Sequence, residues 1–600
     1  MKVSFWKITK RTLLLALLLG LVFVINLIWF RPFFISHFYQ KIFIEFAWNQ
    51  PQLLTSMGIG WKDDQLDDNS FEAVEKQLAL LKKDYDHLLQ YERASLEGQD
   101  AISYDILKFF LQDQINSLKY QNHGYSVTQR GGAYQGLVNF MTSTHQIDDV
   151  GAAEDYLSRV SQMHVVLDNS LKWVEKERDM GIVLPDFIMR KVIENLHNIR
   201  DVALSENPLV TDFNEKVDKL EDADNATKDR LKEELVSHIN ATVNPAYDRQ
   251  IAFFDKLLLQ ATPDAGVWKL PDGDNYYQHR IKSMTTTDYT AEELHTLGLQ
   301  EVDRIVFEMD SILTAQGYTE GTVGDRMKRL NEEPRFLYPD TDAGREQILK
   351  DYEAMIVEID AGMDKVFDIR PKSEVVVKRV PEYRQKTAAG GSYSRPAPDG
   401  SRPGIFYANL YDINATPKWS MRTLAYHEAV PGHHFQIAIQ TELQGLPMFR
   451  SFLGFTSYSE GWALYAERLA WEQGYQEEPF SDLGRLQAEL MRAVRLVVDT
   501  GIHHKRWTRE QAIDYMASTT GLALTDVESE IERYTVWPGQ ALAYKVGMLK
   551  IMELREKAEK ALGDRYDIRK FHNVVLKNGP VPMTILEELV DTYIANGGEA

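Results

Sequence analysis

The chain has 600 residues, of which 44% are hydrophobic and 26% are charged, as in an ordinary folded globular protein. Its formal net charge of −22 argues against a nucleic-acid partner, because binding to phosphates requires a basic surface. The chain contains no cysteine, which excludes disulfides, thiolate metal ligands and cysteine nucleophiles. Any bound metal must therefore use histidine and carboxylate ligands.

An apolar segment near the N-terminus predicts a membrane anchor. The uncharged run 12–30 follows four basic residues, Lys2, Lys7, Lys10 and Arg11. A helix of about 19 residues nearly spans the hydrocarbon core of a bilayer. A cleaved signal peptide is the alternative, but its apolar core is shorter and is followed by small residues, whereas Trp29 and Phe30 are bulky.

The basic residues before the apolar run keep the N-terminus in the cytoplasm. We therefore expect a single-pass protein of the inner (cytoplasmic) membrane, with its catalytic part in the periplasm or at the cell exterior. Three regions are predicted along the chain: a cytoplasmic stub and transmembrane anchor at 1–42, an N-terminal helical region at 43–270 and a catalytic helical region at 271–600.

Most of the chain has the hydrophobic periodicity of helices. Clear examples are 71–91 and 212–240, the second with alternating glutamate and lysine. Thr290 and Thr508 each begin a capping box. The composition of 270–274 predicts a turn, because the spaced ligands of a calcium loop are absent.

A segment at about 375–413 has a different pattern and predicts a small β-sheet. Residues 375–377 and 405–409 have the composition of strands. The connection 388–403 between them is rich in glycine, serine and proline. The predicted fold class is therefore mainly α, with one small sheet next to the motif that follows.

The segment 426–436, with the sequence YHEAVPGHHFQ, carries the strongest chemical signal. Zinc hydrolases usually place two histidines four residues apart on a helix, and a glutamate beside the first accepts a proton from water. Here Pro431 occupies position i+4 from His427, and the next histidines, His433 and His434, stand at i+6 and i+7. In an unbroken helix they would lie about 9 and 10.5 Å along the axis, too far for two bonds of ~2 Å to one zinc ion.

A metal site in this segment therefore requires a broken helix. Pro431 cannot donate to the carbonyl of His427, and Gly432 tolerates unusual backbone angles. A bulge of two residues would return His433 to the position of the second ligand, with Glu428 as general base. A regular helix over 426–436 would contradict this assignment, and the alternative is that the histidines only line or cap a kinked helix.

A carboxylate ligand is expected from a later helix. The segment 459–467 places Glu460 and Glu467 among aromatic and small residues, where a buried carboxylate requires a cation or a proton. We favour Glu460 as the ligand, since Gly461 leaves room for another helix to approach. Glu467 is then expected to hold a ligand histidine by its other ring nitrogen, and the alternative is a salt bridge with Arg468 or Arg495.

These two motifs resemble those of the bacterial family called domain of unknown function 885. The resemblance runs from about residue 50 to the C-terminus and includes three further segments, 400–404, 495–503 and 537–547. The family is grouped with zinc peptidases that use glutamate as the third ligand, and its distant relatives are helical oligopeptidases and carboxypeptidases with a deep channel. The resemblance implies a large helical fold with a channel and a zinc cofactor bound by His427, His433 and Glu460.

Catalysis of acyl transfer requires hydrogen-bond donors directed at the oxyanion of the intermediate. In helical oligopeptidases a late tyrosine-rich segment supplies such a donor, and the segment 540–544 resembles it. Tyr544 is therefore the predicted donor, with Tyr534 as the second choice. His503 is a further candidate for the same catalytic role.

Substrate binding is predicted at the strand before the metal motif. In zinc peptidases of this class a strand edge binds the extended peptide backbone, and 405–410, with Tyr407, is the candidate strand. Arg402 is a candidate partner for a substrate carboxylate, and a loop-stabilising role is the alternative. Tyr534 is a third candidate for contact with the substrate.

The leading hypothesis is zinc-dependent hydrolysis of peptide bonds by metal-activated water, with Glu428 as general base and then acid. The alternatives are a metal hydrolase that acts on a non-peptide amide and a non-catalytic envelope protein that retains the fold. The expected partners are a peptide or small amide substrate and the membrane. The sequence does not distinguish endopeptidase from exopeptidase action, and it does not determine the oligomeric state.

Overall fold

The computed structural model of the protein describes residues 5–382, 385, 388–397, 400 and 402–599. Lys2 of the predicted cytoplasmic stub and Ser401 of the segment 400–404 lie outside these residues. The described chain is mainly helical and contains one small sheet, which confirms the predicted fold class at this level.

The N-terminal part of the described chain contains eleven α-helices. They are α1 (Phe5–Trp29), α2 (Ile35–Trp48), α3 (Pro51–Ser56), α4 (Phe71–Leu88), α5 (Gly98–Ser117), α6 (Ala133–Ser143), α7 (Val150–Asp179), α8 (Asp186–Arg200), α9 (Pro208–Asp218), α10 (Asn225–His238) and α11 (Asn244–Leu258). The prediction of a helix at 71–91 is confirmed by α4. The helical pattern over 212–240 is divided between α9 and α10, because Asp224 accepts a hydrogen bond from the backbone N–H of Thr227 and begins a new helix there.

The C-terminal part contains fourteen further α-helices and three strands among the described residues. They are α12 (Gly273–Thr285), α13 (Ala291–Ala315), α14 (Val323–Asn331), α15 (Asp342–Asp360), β1 (Val375–Arg379), β2 (Gly391–Ser394), β3 (Gly404–Ala408), α16 (Met421–Glu428), α17 (His433–Glu442), α18 (Phe449–Phe452), α19 (Thr456–Glu472), α20 (Pro479–His503), α21 (Arg509–Thr520), α22 (Leu524–Val536), α23 (Ala543–Leu562), α24 (Ile568–Leu576) and α25 (Met583–Ala595). Both predicted capping boxes are present, at the N-termini of α13 and α21.

The sheet has the strand order β1–β3–β2, with β3 parallel to β1 and antiparallel to β2. The predicted strands correspond to β1 and β3, whereas β2 lies inside the connection that was expected to be a loop. Because β3 is the central strand, both of its edges are paired. The prediction that 405–410 offers its edge to a peptide is therefore wrong.

The hydrophobic core crosses the predicted region boundaries. Ile35 and Phe38 of α2 belong to the same buried cluster as Tyr465 of α19 and Leu586 of α25. A second cluster joins the buried faces of α6 to α11 to residues of α20 and α23, such as Leu496. The helices before residue 270 therefore pack directly against those that carry the metal motif.

Helix α1 contains the segment Thr12–Trp29, the one helical segment among the described residues that is apolar and long enough to cross a membrane. None of this segment is buried inside the protein. Burial in a core therefore does not explain its composition, and the segment indicates a membrane-associated or secreted protein.

Helices α19 and α23 cross very closely at two glycines. A Cβ atom at Gly547 would lie 1.9 Å from the carbonyl oxygen of Ser457, and one at Gly461 would lie 2.5 Å from the Cα atom of Gly547. Both helices approach through backbone atoms, which cannot move aside as a side chain can. The crossing therefore sets the distance between Glu460 on α19 and Tyr544 on α23.

Replacing Gly547 with alanine is expected to lower the free energy of unfolding by about 1–3 kcal/mol, because the two helices must separate to admit the methyl group. Chemical denaturation of the purified protein measures the change. Gly136→Ala on α6 is the matched control, since its added Cβ atom meets nothing within 4 Å, and alanine favours a helix over glycine. An unchanged unfolding free energy for Gly547→Ala would contradict the close crossing.

Candidate metal centre

The helix that carries the metal motif is interrupted between its histidines. Helix α16 ends at Glu428 and α17 begins at His433, so the chain over 426–436 is not a regular helix. A Cβ atom at Gly432 would lie 2.0 Å from the carbonyl oxygen of His427. Glycine is therefore required at this position for the connection to fold back against the last turn of α16.

The interruption brings His427 and His433 beside the carboxylate of Glu460 on α19. The Oε2 atom of Glu460 lies 3.6 Å from Nε2 of His427 and 3.4 Å from Nε2 of His433. Two metal bonds of about 2.1 Å in tetrahedral geometry separate their donor atoms by about 3.4 Å, whereas hydrogen bonds are about 2.7–3.2 Å long. These two distances are longer than ordinary hydrogen bonds, and the three donor atoms all lie within 4.8 Å of one another, a spacing that could hold a metal ion.

Glu467 fixes the orientation of His427. Its Oε1 atom lies 2.7 Å from Nδ1 of His427, and both side chains are buried. The carboxylate accepts the Nδ1–H hydrogen bond, which fixes the ring with Nε2 directed towards Glu460. The alternative partners of Glu467, Arg468 and Arg495, pair with other carboxylates.

Charge strongly perturbs the titration of this cluster. Burial alone would lower the pKa of His427, but Glu460 and Glu467 beside its two ring nitrogens raise it to about 9. Burial would raise the pKa of Glu460, but His433 and His427 hold it well below its ordinary value. The side chain of Glu460 keeps 21% of its surface exposed, so a ligand can reach the carboxylate. The ionised carboxylates favour a cation at this position.

His434 points away from the cluster and ties α17 to the sheet. Its Nδ1 atom lies 3.0 Å from the hydroxyl of Tyr393 on β2, and its Nε2 atom lies 3.1 Å from the carbonyl oxygen of Ser373. Burial lowers the pKa of His434 to about 4, so the ring is neutral at physiological pH. Of the two neighbouring histidines 433 and 434, it is therefore His433 that lies beside Glu460.

Glu428 is buried directly after His427, in the last position of α16. Its negative charge contributes to the raised pKa of His427. Burial and then the charge of Glu428 also raise the pKa of Tyr352 on α15. The carboxylate therefore lies within electrostatic range of the cluster, on the side that faces α15.

Tyr544 lies in the first turn of α23, with its ring centre 4.4 Å from Cζ of Arg495. Burial and the charge of Glu460 raise the pKa of its hydroxyl, although Arg495 and Arg533 act in the opposite direction. The phenol therefore stays protonated at neutral pH. It provides a hydrogen-bond donor close to Glu460.

The structure contradicts the predicted roles of Tyr534 and His503, which are both fully buried. The hydroxyl of Tyr534 accepts from Nε of Arg495 at 2.9 Å and donates to Glu530 at 2.5 Å. In His503, Nδ1 accepts from the N–H of Val267 at 3.1 Å and Nε2 donates to the carbonyl oxygen of Tyr534 at 3.0 Å. Because these interactions use their donors inside the core, neither side chain is available to substrate.

The remaining predicted residues lie on or beside the sheet. Arg402 is exposed, and its Nη1 atom lies 3.4 Å from Oγ of Ser394 at the end of β2. Tyr407 is half-buried in β3, opposite Lys378 of β1 and Ser392 of β2. Their roles in substrate binding stay predictions, as does the channel that the resemblance implies.

Sequence reasoning gave no role to Tyr393 and considered Arg495 only as a salt-bridge partner. Arg495 lies in a run of buried apolar residues on α20. A charged residue at such a position is rarely buried without a partner, so the sequence could have indicated that Arg495 has a specific role. Tyr393 had no comparable signal, because it lies in a connection with the composition of a loop.

The sequence matches the family described as "Bacterial protein of unknown function (DUF885)" over residues 51–590. The chain belongs to this family. The predicted family is thereby confirmed. Among the curated proteins, none matches this DUF885 protein.

Two solved structures share the fold of this DUF885 protein. A "putative lipoprotein" from Colwellia psychrerythraea is 38% identical, with a TM-score of 0.89 over 94% of this chain and 98% of that chain. A "putative lipoprotein of unknown function" from Shewanella oneidensis is 19% identical, with a TM-score of 0.73 over 92% of this chain and 99% of that chain. The second likeness shows the fold alone.

A "putative oligoendopeptidase F" from Bacillus anthracis str. Ames is 12% identical to this chain, with a TM-score of 0.31 over 86% of this chain and 92% of that chain. A likeness at this level carries no argument about activity. The chemistry of the DUF885 protein must therefore be argued from its own residues.

Replacing the two neighbouring histidines separately is expected to distinguish the metal position from the structural contact. In protein incubated with zinc, His433→Asn should retain far less metal than the unaltered chain, because it removes one of the three clustered donor atoms. His434→Asn should keep its zinc but melt at a lower temperature, because it loses its contacts with Tyr393 and Ser373. Metal content by mass spectrometry and thermal unfolding measure both effects, and zinc loss confined to His434→Asn would contradict the assignment.

Proposed function

We propose that this protein is a zinc-dependent hydrolase of peptide bonds, with the metal bound by His427, His433 and Glu460. The proposal is carried by the 3.4–3.6 Å spacing of their donor atoms around Oε2 of Glu460. Two histidines and one glutamate suit zinc, and three protein ligands leave a position open, as in catalytic sites. When bound, zinc supplies a Lewis acid that polarises the substrate carbonyl and makes the attacking water more acidic.

Glu428 acts as the general base and then as the general acid. It accepts a proton from the attacking water while the new C–O bond forms at the substrate carbonyl. It then returns this proton to the amide nitrogen as the C–N bond breaks, which releases a carboxylate and an amine. Its buried position next to His427 in the sequence supports this role.

Tyr544 donates a hydrogen bond to the oxyanion that develops on the substrate carbonyl. Its protonated hydroxyl and its closeness to Glu460 support this role. The guanidinium of Arg495 lies against its ring at 4.4 Å, and this cation–π contact restricts the tyrosine to one orientation. A donor that is already oriented stabilises the transition state without reorganisation.

The outer edge of β2 is the proposed site for the peptide backbone, in place of the predicted edge of β3. The N–H of Asn409 donates to the carbonyl of Gly390 at 2.9 Å. By antiparallel alternation, the backbone groups of Gly391 and Tyr393 then point away from β3. A peptide added to this edge lies next to α17, because Tyr393 contacts His434.

The proposed location is the inner membrane, with α1 as an uncleaved single-pass anchor and the catalytic region in the periplasm or at the cell exterior. The exposed apolar surface of Thr12–Trp29 and the basic residues before it support this topology. The two relatives described as lipoproteins are consistent with a protein of the cell envelope.

Glu428→Gln is expected to lower the rate of peptide hydrolysis by about 10²–10⁴-fold, because the amide cannot accept the proton from water. Its zinc content should not change, because Glu428 is not a ligand. A peptide library analysed by mass spectrometry, together with metal analysis, measures both quantities. Glu358→Gln is the matched control. Glu358 lies on α15 and pairs with Arg422 of α16, the helix that carries Glu428, but it is outside the cluster.

The same library, tested with and without a chelator, separates the three functional hypotheses. Peptide cleavage that the chelator stops supports the proposal, and full activity in Glu428→Gln would contradict the mechanism. Turnover restricted to non-peptide amides would favour the second hypothesis. Binding that persists with the chelator, without cleavage, would favour a non-catalytic envelope protein.

Tyr544→Phe is expected to lower kcat by about 10²–10³-fold with little change in KM, because the lost hydrogen bond forms in the transition state. Steady-state kinetics on a cleaved peptide measure both constants. Tyr411→Phe, at an exposed position, is the control. A change confined to KM would instead assign Tyr544 to substrate binding.

A further inference from the structure

Exposed aromatic and aliphatic side chains are concentrated directly after the apolar helix α1. We name as the aromatic collar five residues that are 49–74% exposed: Phe33, Phe34, Ile44, Trp48 and Trp61. Single exposed apolar residues, such as Phe307 on α13, are normal on a protein surface. Ile44 and Trp48 are one turn apart on α2, and Trp48 contacts Trp61, so these three side chains form a contiguous exposed apolar surface of the kind that marks an interaction site.

The two tryptophans of the collar are held in place by specific contacts. The rings of Trp48 and Trp61 lie 6.1 Å apart, edge to face. The ammonium group of Lys62 lies 4.4 Å from the centre of the Trp48 ring and donates to the carbonyl oxygen of Trp48 at 2.7 Å. These exposed side chains therefore form part of an ordered surface.

The junction between α1 and α2 is also fixed by hydrogen bonds. Lys41 of α2 is buried, and its ammonium group donates to the carbonyl oxygens of Ile28 at 2.9 Å and Phe30 at 3.0 Å. These carbonyls belong to the end of α1, where no helical partner is available. Asn26 accepts from the N–H of Phe33 at 2.9 Å. Helix α1 therefore continues into the body through a fixed joint and not through a flexible linker.

Removal of α1 would take these two acceptors away from the ammonium group of Lys41. A protein is stable with a partly buried ammonium group only when that group keeps hydrogen-bond acceptors or opposite charges. Two carboxylates remain near it, Glu45 at 3.8 Å and the buried Asp84. The body is thus built to keep α1, which favours a retained anchor over a cleaved signal peptide.

A retained α1 sets the depth of the collar relative to the bilayer. The segment Thr12–Trp29 has 18 residues, enough to cross most of a hydrocarbon core. Trp29 at its end then lies at the boundary with water, where tryptophan and other aromatic residues are enriched. The joint keeps Phe33 beside Asn26, three residues before Trp29, so this end of the collar lies at the same boundary. Arg31 and Lys62 add positive charge there, which suits anionic lipid headgroups.

We propose that the aromatic collar inserts into the interfacial layer of the bilayer, so that the body of the protein lies against the membrane in one orientation. The occupant of this surface is the lipid bilayer itself. The inference rests on α1 being retained as an anchor, as in the proposed function, but it does not depend on metal binding or catalysis. Its failure and the failure of the proposed enzymatic activity are therefore distinguishable.

The absence of cysteine from the chain allows a direct test. Single cysteines are introduced at Ile44→Cys and Trp61→Cys in the full chain, labelled with a nitroxide and placed in nanodiscs of phosphatidylethanolamine and phosphatidylglycerol. Electron paramagnetic resonance then compares collisions with oxygen, which concentrates in the bilayer, and with a water-soluble nickel chelate. Phe307→Cys and Val357→Cys are the matched controls, because these residues are 74% and 70% exposed outside the collar.

The labels at 44 and 61 are expected to show an oxygen-to-nickel ratio several-fold higher than the labels at 307 and 357. Equal ratios at all four positions would overturn the proposal. Nanodiscs that hold one copy of the chain exclude self-association. A high oxygen-to-nickel ratio that is lost in these nanodiscs would mean that the collar binds a second copy of the chain, and this result would also overturn the proposal. Intact mass of the protein extracted from membranes reports α1 independently, and a chain cleaved after α1 would remove the basis of the inference.

Discussion

The interruption between α16 and α17 is the constraint on which the whole candidate site depends. One continuous helix would separate His427 and His433 too far to share an ion. The backbone at Gly432 lies so close to the carbonyl oxygen of His427 that only a residue without a Cβ atom fits there. The indole of Trp462 stabilises the connection by donating a hydrogen bond to the carbonyl oxygen of Pro431 at 2.9 Å. Because Trp462 lies on α19, the helix that supplies Glu460 also fixes the shape of the interruption.

Helix α19 organises the site through residues that recur on one face. Glu460 and Glu467 are seven residues apart, which is two turns of a helix, so both side chains project in nearly the same direction. His427 lies between them, with Nε2 towards Glu460 and Nδ1 towards Glu467. The close crossing at Gly461 then adds Tyr544 of α23 to the same side. One helix therefore positions a proposed ligand, its supporting carboxylate and the helix of the proposed oxyanion donor.

The sequence predicted the features that depend on local spacing. Pro431 and Gly432 between histidines at i and i+6 required an interruption, a valine-rich segment predicted β1, and a segment with isoleucine and aromatic residues predicted β3. It failed where a partner is distant in the chain. Tyr534 was predicted to contact the substrate or the reaction intermediate. In the structure its hydroxyl is instead hydrogen-bonded to Arg495 and Glu530. Strand β2 was missed because its pairing with β3, which makes β3 central, is a tertiary contact that glycine and serine do not encode locally.

The membrane surface and the candidate site belong to one packed unit. Phe43 of α2 stacks on Phe452 of α18 at 4.9 Å, and α18 follows α17, which begins with His433. The acidic body, with a net charge of −22, is repelled by anionic lipid, so most of its faces are disfavoured at the membrane. The collar combines apolar side chains with the positive charges of Arg31 and Lys62. In the proposed orientation, with the collar towards the bilayer, hydrophobic burial and electrostatic repulsion act in the same direction.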